Sequence, residues 1–143
     1  MVLVVVLVVD YTRGDIILRK NVQFVRAKGG EFALKVNLTV HARRFVERVN
    51  IIDRIPALVK LYDKFSGEAP KKVDEKTRKI EWNFERLMPG EVRVLSYIIY
   101  SKIGVTGKFA LPTATAIYER EGNIKEEESN RAFFIAEQRK IEE

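Results

Sequence analysis

The chain has 143 residues, enough for one domain with its own hydrophobic core. Apolar residues make up 46% and charged residues 32%, with only 8 Gly and 4 Pro, which excludes collagen-like, mucin-like and low-complexity classes. The absence of Cys excludes a disulfide framework, a zinc ribbon, a thiol nucleophile and a thiolate-held iron–sulfur cluster, and a single His excludes a multi-histidine metal centre. No metal and no cofactor are expected. The formal charge of +6 is uneven: residues 1–50 carry 9 Lys/Arg against 4 Asp/Glu, residues 51–100 carry 10 against 8, and residues 101–143 carry 7 against 8. Many charges of both signs beside abundant Val and Ile give the usage of heat-adapted proteins, and an archaeal or other thermophile source is expected.

Met1 to Val9 is an unbroken apolar run ending at Asp10, far short of the roughly 20 residues that cross a bilayer. Its branched Val side chains predict a buried strand. No basic start or small-residue cleavage site accompanies it, so neither a signal peptide nor a transmembrane segment is expected. Asp15 to Val25 supplies the next strand. Lys28-Gly29-Gly30-Glu31 is a turn signal, because glycine reaches positive φ without a Cβ clash. Phe32, Leu34, Val36, Leu38 and Val40 then alternate with polar residues, predicting a hairpin over Ile16 to Val40.

Val49 and Ile51 continue the alternation toward Asp53, and Pro56 interrupts it because proline has no N–H to donate. Lys64 to Arg78 reads as a polar crossing. Ile80, Trp82 and Phe84 share one face of a short strand. In Leu87-Met88-Pro89-Gly90-Glu91, proline presets φ and glycine accepts the positive φ of a tight turn. Val92 to Ile103 is apolar on both faces, Ala110 to Tyr118 forms the next strand, Glu121-Gly122-Asn123 a hairpin tip, and Asn130 to Ala136 the last strand. The expectation is an all-β sandwich of about 7–9 antiparallel strands. It forms a single domain over residues 1–143 that opens with an N-terminal hairpin, about 1–28.

Asp53, Ile55 and Pro56 close one strand. They are followed in order by Trp82, by Leu87 with Pro89, Gly90 and Glu91, by Tyr97, and by Ser129-Asn130 before the last strand. This pattern resembles the conserved-repeat family called domain of unknown function eleven, which repeats on prokaryotic surface proteins, and is similar to the cell-adhesion-related domain. The likeness covers Glu31 to Ala136, and Arg93 departs from it by standing where the family places an inward apolar residue. The resemblance implies an immunoglobulin-like module that is a spacer or binding unit and not an enzyme. It would sit on the cell surface or outside the cell, as part of a longer chain.

The residues themselves give plain roles. Trp82 and Tyr97 fill the core, and Asp53 bonds backbone N–H groups after its strand. Glu126-Glu127-Glu128 lacks the Asp/Asn alternation and glycine of a calcium loop and reads as solvated. His41 has no Ser or Asp motif around it, Gly29-Gly30 lacks a phosphate loop's Lys-Ser/Thr, and the pair Glu119 and Glu121 is of a kind that any charged strand offers, so no catalytic residue is assigned. Two surfaces remain. Val92, Val94, Ile98 and Tyr100 would form an apolar strip on the outer face, a candidate partner surface for a protein or a surface glycan. Arg13, Arg19, Lys20, Arg26, Lys28, Arg43, Arg44 and Arg48 form a candidate anion-binding patch. That patch supports the alternative reading, an intracellular basic β domain binding nucleic acid, or contact with an anionic membrane through a parent chain.

Overall fold

The computed structural model describes residues 14–25, 32–101 and 107–136. The Val-rich run at Met1 to Val9 lies outside them, as do Arg13, Arg26 and Lys28 of the proposed patch. Among the described residues there are eleven strands and no helix: β1 (Ile16–Val25), β2 (Phe32–Ala42), β3 (Val46–Arg54), β4 (Lys60–Gly67), β5 (Lys72–Asp74), β6 (Lys79–Leu87), β7 (Val92–Ser101), β8 (Gly107–Ala110), β9 (Thr115–Arg120), β10 (Asn123–Glu128) and β11 (Phe133–Ala136). One sheet runs β1-β2-β7-β4 and the other β10-β9-β3-β6-β5, every pairing being antiparallel, with β11 and β8 forming a separate two-stranded ribbon. The expected antiparallel β-sandwich is present, and its strands exceed the expected 7–9 because β4, β5 and β10 form in stretches that read as connections and the strand expected at Ala110 to Tyr118 is two strands, β8 and β9.

Alternation decides what the two sheets bury. Leu34, Leu38 and Val40 of β2 and Leu95, Tyr97 and Ile99 of β7 point inward from the first sheet. They meet Val49 and Ile51 of β3, Ile80 and Trp82 of β6, and Ala116 and Tyr118 of β9 from the second. The phase of β3 changes at Arg48, whose φ of 47° is left-handed, and the register with β9 shifts between Glu47 and Asn50. Val46 and Val49 are three residues apart, yet both are buried as a result.

The Leu87-to-Glu91 turn forms as its residues demand. Glu91 N–H donates to Met88 O at 3.0 Å, Gly90 takes φ 86°, and Gly90 N–H reaches Ala42 O at 2.7 Å, tying the turn to the end of β2. The polar crossing at Lys64 to Arg78 is corrected in part: residues 64–67 belong to β4 and Lys72–Asp74 form β5, with connections at 68–71 and 75–78. In β4, Leu61 and Phe65 both pack toward the core across a register shift between Tyr62 and Phe65, and that irregularity hides the alternation from the sequence. Gly67 closes β4 at φ 80°, and a Cβ there would lie 2.1 Å from Val94 O, so only glycine fits. The strand expected at Ala110 to Tyr118 is split by an irregular stretch at 111–114 into β8 and β9, and the glutamates 126–128 lie on the edge strand β10.

Candidate functional site: a buried charge clamp between the sheets

The inner face of β1 carries Ile16, Leu18, Lys20 and Val22 in strict alternation. Lys20 is therefore aimed between the sheets, flanked on its own face by Leu38 of β2 and then Leu95 of β7. Asp53 occupies the facing position on β3, beside the buried Ile51. Lys20 Nζ lies 2.8 Å from Asp53 Oδ1, with the two side chains 1% and 0% exposed. Tyr97 donates its hydroxyl to Asp53 Oδ2 at 2.5 Å, Arg54 N–H donates to Oδ1 at 2.9 Å, and Lys20 Nζ also donates to Pro112 O at 2.5 Å. Burial, together with the negative charge of Asp53, pushes the Tyr97 hydroxyl well above the usual phenol range, so it stays a donor. Trp82 closes this end of the core, its ring centroid 6.1 Å from that of Tyr97 and its Nε1–H bonded to Glu68 O at 3.2 Å.

The main chain of Lys20 is held as firmly as its side chain. Lys20 N–H donates to Asn130 Oδ1 and Asn130 Nδ2 donates to Lys20 O, each at 2.9 Å, so one carboxamide stands in for a pairing strand along the edge of β1. Ser129 orients that segment by accepting Ala114 N–H at 2.9 Å and donating to Asn130 O at 2.9 Å. Among the described residues, no buried side-chain nitrogen or oxygen lacks a partner. A group enclosed this completely has no face open to a diffusing substrate.

A second carboxylate, Asp15, closes the other end of β1. Its Oδ1 receives Arg44 at 3.1 Å and Arg120 at 3.4 Å, and its Oδ2 receives Tyr118 OH at 3.1 Å and Lys125 at 3.5 Å. Burial alone would raise the Asp15 pKa, but the Tyr118 hydrogen bond and the cations Arg44, Lys125 and Arg120 together outweigh it, and the pKa is lowered. At a third place, Arg78 bonds Ile55 O at 3.3 Å and Pro56 O at 2.5 Å and also reaches Val59 O, fastening the connection between β3 and β4.

The proposed patch changes under this geometry. Lys20 is corrected outright: it is the buried partner of Asp53 and offers nothing to an external anion. Arg44 faces Asp15, and Arg48 pairs with Glu119. Arg19 is exposed on the outer face of β1, and Arg43 is half-buried, reaching the same Gly14 O that Arg44 does. Phe45, next to these cations in sequence, is 37% exposed. Glu119 is held by Arg48 while Glu121 sits at the hairpin tip beside Arg120. Arg93 leaves the core by bonding Glu91 and Glu68, with its guanidinium 5.7 Å from the Phe84 ring centroid.

Val92, Val94, Ile98 and Tyr100 do lie on the outer face of β7, the first two exposed and the other two half-buried. They are split into two patches by a polar row in which Ser96 donates to Asn37 Oδ1 at 2.6 Å and Asn37 donates to Asn21 Oδ1 at 3.0 Å. Tyr62 of β4 joins the upper patch edge-on to Tyr100, their centroids 6.3 Å apart. An apolar cavity of about 250 Å³ opens at one end of the sandwich between Leu34, Pro56, Val59, Ile99, Phe109 and Phe134. Among the described residues no group of three metal-ligating side chains converges, and no helix is long and apolar enough to cross a membrane.

Sequence reading missed Lys20 and Asp15 as structural groups. The alternation Ile16, Leu18, Lys20 was the available signal for Lys20, since it places the lysine on the apolar face. Asp15 gave none, because its partners come from β9, β10 and the turn after β2.

No family model and no curated protein matches the sequence. Among solved structures, the fold is similar to part of the GH20 exo-β-N-acetylglucosaminidase from Vibrio harveyi in complex with N-acetylglucosamine, at 6% identity and TM-score 0.52. An inactive mutant of the same enzyme gives the same values. The match covers 90% of this chain and 20% of the enzyme, so the chain spans about one fifth of that protein's length. At this identity the likeness concerns the fold alone.

Proposed function

We propose that the domain is a non-enzymatic structural or binding module, a spacer or adhesion-type unit of a prokaryotic cell-surface or membrane-attached protein. The observation that carries this reading is the Lys20, Asp53 and Tyr97 clamp. Here a lysine, an aspartate and a tyrosine are turned inward to fasten one sheet to the other, sealed from solvent. The similarity to the domain of unknown function eleven family supports the same reading, because its matching residues have structural positions here: Asp53 in the clamp, Trp82 and Tyr97 in the core, Pro89 and Gly90 in a turn. The partner surface would be the outer face of β7, and its occupant a protein or surface glycan. Pairing of Arg44 and Arg48 and burial of Lys20 weaken the nucleic-acid alternative, since a paired cation releases fewer counterions from a phosphate backbone.

An antibody blot of the source organism, comparing intact cells with and without external protease, tests the location. Loss of the band supports the surface module, and a protected band overturns it. Ile98→Lys examined by sedimentation tests the outer face: release of a self-associated state supports a partner surface there, and an unchanged monomer removes self-association.

A further inference from the structure

We propose that Lys20 and Asp53 condense into an intramolecular amide, a covalent tie between β1 of one sheet and β3 of the other. The two groups are already in contact, with Nζ 2.8 Å from Oδ1 and side chains 1% and 0% exposed. Neither can turn away. The lysine is fixed through its main chain by Asn130 and through its amine by Pro112 O, and the aspartate by Arg54 N–H and the Tyr97 hydroxyl. Holding two reactants in one geometry replaces a bimolecular encounter with an internal step and supplies a large part of the barrier.

Leu38 and Leu95 flank the lysine on the inner face, and both side chains of the pair are shut off from water. Transfer of one proton from the ammonium to the carboxylate leaves a neutral amine beside a carboxylic acid. The Nζ lone pair then attacks Cγ, and negative charge gathers on Oδ2, where the Tyr97 hydroxyl is already aimed. The bond from Cγ to Oδ1 breaks, and Oδ1 leaves as water with the acid proton and one proton from nitrogen. The amide keeps one N–H, which Pro112 O accepts, and one oxygen, which accepts from Tyr97. No oxidant, metal or cofactor enters the balance.

Asp15 provides the internal contrast. Two of its three cations are arginines, which stay protonated and are poor nucleophiles, and Lys125 is half-exposed at 3.5 Å. Only the pair in the core has the amine, the burial and the hydroxyl together.

The mass of the intact, denatured protein tests the proposal, read after purification and again after prolonged warming below the unfolding temperature. The expected result is a mass short by one water, with proteolysis yielding one branched peptide that joins the segments containing Lys20 and Asp53. Lys20→Arg should restore the full sequence mass whether or not it folds well. A wild-type mass equal to the sequence mass at both times overturns the proposal. So does a loss of ammonia, which would place the bond on an asparagine, or a water loss mapped to any other residue.

Discussion

The two buried carboxylates of β1's neighbourhood do different work. Asp15 sits at a rim, where Arg44, Arg120 and Lys125 reach it from three sides and stay partly in solvent. Asp53 sits in the middle layer with a single cation, and both groups are fully enclosed. A charge at the rim keeps hydration and needs only approximate geometry. A charge in the layer depends on one partner and two or three hydrogen bonds, so its removal leaves an uncompensated ion.

The largest effect should therefore come from Asp53→Ala, which strands the Lys20 ammonium and is expected to cost about 3–5 kcal/mol in urea unfolding. A loss below about 1 kcal/mol would show that the core tolerates the lone lysine. The double change Lys20→Met with Asp53→Leu sharpens the contrast: a simple ion pair replaced by apolar groups should leave stability unchanged or raised. A domain that carries the amide should instead become less stable than the parent, because its cross-link is gone. Next in size is Tyr97→Phe, expected to cost about 1.5–3 kcal/mol by deleting a hydrogen bond to a charged acceptor while keeping the ring against Trp82.

Asp15→Asn should be milder, about 1–2 kcal/mol, since Tyr118 can still donate to the amide oxygen. Its signature lies in the pH dependence. A carboxylate with a lowered folded pKa contributes stability that is complete above its ordinary value of 3.8 and is lost as pH falls through the folded value. Denaturant midpoints measured downward from pH 5 should fall in the parent, and the part owed to Asp15 should be absent in Asp15→Asn. The smallest effect is expected for Arg48→Ala, whose side chain is 71% exposed beside Glu119: a change within about 0.5 kcal/mol that shrinks further as salt is added.

Local rules made much of the fold legible. The β1–β2 pairing follows from alternation, and its register pairs Ile16 with Ala42 through Val25 with Ala33. Pro89-Gly90 forms the turn its backbone preferences require. Trp82 and Tyr97 are buried as large rings at inward positions must be. The strands β4 and β5 were not legible, because an irregular register and a polar edge erase the period-two signal. The candidate site divides along the same line. Asp53 could be singled out from its place at a strand end, but a lysine in a basic stretch reads as surface until its strand acquires a facing sheet.

Composition and period-two patterning by themselves determined an all-β protein without thiol or multi-histidine chemistry, and they placed the aromatic core, because each depends on residues at short, fixed separations. Only the tertiary structure decided that Lys20 faces Asp53 across 33 residues, that Asn130 pairs with the main chain of Lys20 across 110, and that Asp15 gathers cations from three elements. The reason is physical: a buried charge is tolerated only where its partners are assembled around it, and that assembly is a property of the packed sheets.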